Sequence, residues 1–195
     1  MIPRFLAVAS VATLLAACAT PGSTPDEAAL AAQAGKIALG MQQTLAGKLL
    51  AEINKNGAES AISVCKTMAP EASAEMSRDT GWRVTRVSLR VRNPVLGMPD
   101  AWEQAALLDF DARAARGADP AGLERAEVVS EPQGRYFRYM KALPVLPLCV
   151  SCHGSADAIP AGVKARLARE YPHDKATGYA AGQLRGAISL KRPLD

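Results

Sequence analysis

The chain has 195 residues, 49% of them hydrophobic but only 5% aromatic, with a formal net charge of +4. That length suits one domain with a sizeable core, which the scarcity of aromatics makes mainly aliphatic. The charges are spread along the chain without a run of one sign, so nothing in the composition points to nucleic acid.

The first residues read as a leader. Arg4 is followed by FLAVASVATLLAA, thirteen apolar or small residues. Such a stretch has the length of a secretory core and is too short to span a bilayer. It runs into LAAC, Leu15 to Cys18, which resembles the lipobox of bacterial lipoproteins. The resemblance implies removal of residues 1–17, acylation of Cys18 and attachment to a membrane. The alternative is an ordinary signal with Cys18 an incidental thiol. Ala19 stands where an aspartate would retain a lipoprotein at the inner membrane, so the same resemblance implies the periplasmic side of the outer membrane. Residues 18–25 then form a flexible tether, leaving 26–195 as the folded domain.

Thr24, Pro25 and Glu27 have the spacing of a capped helix start. Leu30, Ala34, Ile37, Met41, Leu45, Leu49 and Ile53 recur every three or four residues, one apolar stripe that ends near Gly57. A second helix is expected from about Ala58 to Met68, stopped by Pro70, with a further turn or two in EASAEMSR. GWRVTRVSLRVR reads as a strand whose alternation slips near Arg86. NPVLGMP is a loop. Asp100 and Glu103 cap a helix that closes at Gly117. AEVVS and GRYFRYMKAL form a hairpin around EPQG. A short helix near 162–170, a loop and a last strand, QLRGAISL, complete the order. Helices first and about four strands later predict an α+β domain with a single antiparallel sheet, flanking helices and a long N-terminal helix.

The chemistry concentrates in CVSCH, Cys149 to His153. C-x-x-C-H is the attachment signature of c-type haem. Two thiols three residues apart suit two thioether bonds, and the next residue then lies where an imidazole reaches the iron. One such motif predicts one covalently attached haem c. The competing readings are a local disulfide, a thioredoxin-like redox pair, and a zinc site needing a further ligand from Cys65 or His173. A thioredoxin-like pair sits in a βαβ unit, unlike this proline-rich approach. Cys65 is left over in an oxidising compartment. It is either a small buried hydrophobe or the second axial ligand, in competition with His173 and with Met41, Met68, Met76, Met98 and Met140.

Four segments carry a wider resemblance: AISVCKTMAPEAS (61–73), LRVRNPVLGMPDAWE (89–103), LCVSCHG (148–154) and YPHDKATGYAAGQLRGAISL (171–190). Together they resemble the Tll0287-like family, known as a domain of unknown function. The resemblance implies a PAS-like fold with one c-type haem held by histidine and cysteine. The histidine falls on His153 and the cysteine on Cys65.

A thiolate ligand stabilises ferric iron and lowers the reduction potential, whereas methionine raises it. With both axial positions filled, no site is open for substrate, which argues against an enzyme. The expectation is therefore a haem-based redox or gas sensor in which Cys65 leaves the iron on reduction. The alternative is a low-potential electron carrier, and either needs an unidentified redox or signalling protein partner. Arg90, Arg92 and Arg185 are candidates to pair with haem carboxylates, with solvated strand ends as the simpler role. His173 reads as a solvated loop residue. Trp82, Trp102, Tyr136, Phe137 and Tyr139 read as core and hairpin packing.

Overall fold

The computed structural model describes residues 26–194. The leader, Cys18, the tether and the expected cap at Thr24 lie outside those residues. Among the described residues the cap that holds the first turn is Asp26, whose carboxylate accepts from the Ala29 amide at 3.0 Å. Helix α1 runs Glu27–Ser60 and bends at Gly57, whose φ of +83° suits a residue without a Cβ. Its apolar stripe has two roles. Ala34, Ala38 and Met41 are fully buried against the sheet. Leu45, Leu49 and Ile53 continue the same stripe as the roof of a cavity.

The next segment departs from the expected helix. Val64–Met68 forms a π turn, and the Ala69 amide bonds back five residues to the Val64 carbonyl. Helix α2, Ala69–Thr80, follows directly. Pro70 therefore starts a helix instead of stopping one. In a first turn its missing N–H has no partner to lose.

Four strands form one antiparallel sheet in the order β1-β4-β3-β2. They are β1 Arg83–Val87, β2 Glu124–Glu131, β3 Gly134–Pro144 and β4 Leu184–Pro193. The α+β class and the β2–β3 hairpin are as the sequence predicts. β1 is shorter than expected because Ser88 ends it. The Ser88 hydroxyl accepts from the Arg90 amide at 3.1 Å and donates to the Arg185 carbonyl at 2.8 Å. A one-turn helix α3, Pro94–Gly97, stands within the expected loop.

Helix α4, Ala101–Ala115, carries the predicted capping box of Asp100 and Glu103. Its Ala106, Leu107 and Phe110 pack on Val87, Met140, Ala142 and Ala187 on one face of the sheet. The other face carries Trp82, Val84, Phe137, Tyr139, Ile188 and Leu190 under α1 and α2. Helix α5, Val150–His153, and helix α6, Ala161–Glu170, lie between β3 and β4 in the chain. Among the described residues no helix is long and apolar enough to cross a membrane.

Phe110 is fully buried on the face away from the cavity. Phe110→Ala is expected to lower stability by about 3–5 kcal/mol in denaturant unfolding, the usual cost of emptying such a core position. The cavity residues remain in place in that variant.

Candidate functional site

A cavity of about 440 Å³ opens between the second half of α1, the π turn and the sheet. That volume is in the range of small-molecule and cofactor sites. Its roof is Leu45, Leu49 and Ile53. Its floor is Val84, Leu143, Gly186 and Ile188. Three residues of the CVSCH motif, Cys149, Cys152 and His153, line it together with Cys65 from the π turn. Four residues singled out in the sequence, across a separation of 88 positions from Cys65 to His153, thus meet at one cavity.

Local chemistry explains why α5 is a single turn. Pro147 starts a short 3₁₀ turn through Cys149, and the four helical residues of α5 follow. The chain leaves the turn at Gly154, whose hypothetical Cβ would lie 2.6 Å from the Val150 carbonyl oxygen. Only glycine allows that close approach. The loop 174–179 then clamps α5 from outside. The Tyr179 amide donates to the His153 carbonyl at 2.8 Å and the Gly178 amide to that of Gly154 at 2.6 Å.

Side chains complete the clamp. Arg92 Nε donates to Asp174 Oδ2 at 2.9 Å, and the two side chains are only 9% and 11% exposed. Arg92 Nη2 donates to the Cys152 carbonyl at 2.6 Å. Asp174 Oδ1 accepts from the Ala176 amide at 2.7 Å. The Ala176 carbonyl in turn lies 2.6 Å from His153 Nδ1. A carbonyl can only accept, so Nδ1 carries the proton and Nε2 of the neutral ring is bare. Burial holds His153 well below the usual histidine range, and the guanidiniums of Arg185 and Arg92 add to that. The Tyr179 ring meets the imidazole edge to face at 6.3 Å. His153 is thus a fixed, neutral donor.

Cys65, Cys149 and Cys152 are free thiols. Burial pushes Cys149 up and Cys152 up to about 11, so both rest as thiols and not thiolates. The π turn that carries Cys65 is held by local hydroxyl bonds, Thr67 Oγ1 to the Ser63 carbonyl at 2.8 Å among them. Lys66 ties it to Glu170 at the end of α6. A π bulge costs hydrogen-bond geometry and recurs at functional positions.

The other candidates separate clearly. His173 is exposed and away from the cavity, and none of Met41, Met68, Met76, Met98 and Met140 lines it. Arg92 and Arg185 line the cavity. Arg90 does not: it donates to the Lys175 and Thr177 carbonyls and lies 4.3 Å from the centre of the Tyr179 ring. Of its two readings, Arg90 thus has the exposed position of the simpler one. Trp82, Phe137 and Tyr139 are core, and Trp102 packs under Arg138 at 4.5 Å. Sequence reasoning missed Arg86, Tyr171, Asp174, Ala176 and Tyr179. Only Arg86 left a signal. The slip in alternation there marks a charged residue in register with Ile188, on the cavity face of the sheet.

The model of the Tll0287-like family matches residues 23–193, and the chain belongs to that family. The crystal structure of the cyanobacterial haem protein Tll0287 is similar to this fold, with a TM-score of 0.58 and 24% identity over 84% of this chain and 96% of that one. At that identity the likeness establishes the fold. No curated protein matches the chain.

Removing one partner of a buried ion pair leaves an uncompensated charge. Asp174→Ala is expected to cost about 3–5 kcal/mol in thermal or denaturant unfolding, as is usual for such pairs. Arg113, in an exposed pair with Asp109, is the control, and Arg113→Ala should change stability by less than about 1 kcal/mol.

Proposed function

We propose that this member of the Tll0287-like family is a mono-haem c-type protein with His153 and Cys65 as axial ligands, working as a redox or gas sensor of the cell envelope. The observation that carries the reading is the meeting of Cys65 with Cys149, Cys152 and His153 at one apolar cavity. The printed description of the similar cyanobacterial structure as a haem protein supports it.

The residues fit the group. Cys149 and Cys152 would hold a haem by thioether bonds, His153 Nε2 would bind its iron from the α5 side, and Cys65 would bind from the π turn. The bound group supplies one-electron exchange at iron. The protein's own part is to orient and to tune. The Ala176 carbonyl holds the imidazole by Nδ1, which fixes the ring and makes Nε2 a better donor. The aliphatic roof would shield the bound group from water on that side. A cysteine ligand favours the ferric state and a low potential. Cys65 would reach the iron from a π turn, an irregular stretch of helix of the kind that recurs at functional positions and could supply the movable element. A sensor needs such a two-state element, and the reading assigns no catalytic role.

The leader sequence supports export, with acylation of Cys18 and a periplasmic, outer-membrane position. A low-potential electron carrier is the second reading. It is favoured by the apolar surface beside the cavity, where Val95, Leu96 and Met98 are 90%, 53% and 62% exposed. Such a patch suits transient docking of a redox protein.

The test is to produce the full chain with a periplasmic c-type maturation system and run it on a denaturing gel stained for haem. The expected result is one haem per chain that stays with the unfolded protein and is lost from the Cys149→Ala/Cys152→Ala variant. A colourless protein, or haem that separates on denaturation, contradicts covalent attachment.

A further inference from the structure

The cavity is lined by three guanidiniums, Arg86, Arg92 and Arg185, and by no aspartate or glutamate. Gathering like charges at a largely apolar site is costly without a counter-charge. Asp174 neutralises one of them, Arg92, and lies behind it, off the cavity wall. The other two are uncompensated. Arg86 rises from the floor, in register with Ile188, and its guanidinium makes no hydrogen bond or ion pair among the described residues. Arg185 is held by Nη1, which donates to Ser88 Oγ at 2.8 Å and to the Arg90 carbonyl at 3.2 Å. Its Nε is buried with no partner. A buried donor left unpaired costs of the order of 1–3 kcal/mol, so it marks a position where an acceptor is missing.

The geometry points to Arg86 and Arg185 as the seat for the two carboxylates of the cavity's ligand. This rests on the haem reading, since a haem is an apolar disc with two propionates. Arginine suits carboxylate because its fork presents paired donors in one plane. Arg92 is less suited because its charge is matched by Asp174 and its Nε and Nη2 are taken by Asp174 and the Cys152 carbonyl. Arg90 is excluded because it turns away, onto Tyr179. The seat does two things. It fixes the rotation of the disc within the cavity, and its positive charges oppose the low potential that a cysteine ligand imposes.

The test uses the haem-loaded full chain. Resonance Raman propionate-bending bands report the hydrogen bonding of the carboxylates, and a redox titration reports the potential. In Arg86→Gln and Arg185→Gln the bands are expected to move to lower frequency and the potential to fall, while Arg90→Gln changes neither. Arg185→Lys should keep the potential and lose part of the band position. Arg86 makes no internal bond, so its variant stays informative if Arg185→Gln does not fold. Unchanged propionate bands in a haem-loaded Arg86→Gln overturn the seat and leave the haem reading standing. A parent that carries no haem overturns both.

Discussion

The buried ion pair of Arg92 and Asp174 is the constraint on which the site depends. Each partner faces two ways. Arg92 reaches the Cys152 carbonyl while it holds Asp174. Asp174 holds the Ala176 amide, and the Ala176 carbonyl holds His153. The pair therefore connects the loop after β1, the cysteine-bearing turn and the loop before β4. Those three segments lie far apart in the chain and have little regular structure. Without the pair, α5 would be one turn held from outside by the Gly178 and Tyr179 amides alone, too short to hold its own conformation. With it, the imidazole has one orientation and one tautomer.

The fold around this pair divides its work by face. One face of the sheet is packed by α4, which gives stability. The other face is packed under the first half of α1 and under α2. Beyond Met41 the helix continues its stripe over a void, so that apolar side chains made for a core become the walls of a cavity. Charge follows the same plan. The positive groups cluster at the end that holds His153, where burial already favours the neutral imidazole. A neutral ring is what a metal ligand requires.

Much of this was legible in the residues. CVSCH was identified from its spacing, and the capping box of Asp100 and Glu103 and the hairpin at 131–134 from local chemistry. Those features depend on neighbours in sequence. From the residues alone Cys65 is one of several possible ligands, and only the family resemblance implies it over the others. The π turn was not legible, because Pro70 reads as a stop unless one knows that a helix starts there. Asp174, Ala176 and Tyr179 were invisible because they act by contacts that only the tertiary fold creates. Ala176 contributes nothing but a backbone carbonyl, which any residue could supply.

The central claim is that Cys65 and His153 hold one iron between them. Low-temperature EPR of the ferric protein, beside its Cys65→Ala variant, tests it most directly. The account predicts a low-spin thiolate spectrum in the parent that disappears in the variant. A parent spectrum of His/Met or His/His type, unchanged by the substitution, would contradict it and return Cys65 to the role of a small buried side chain.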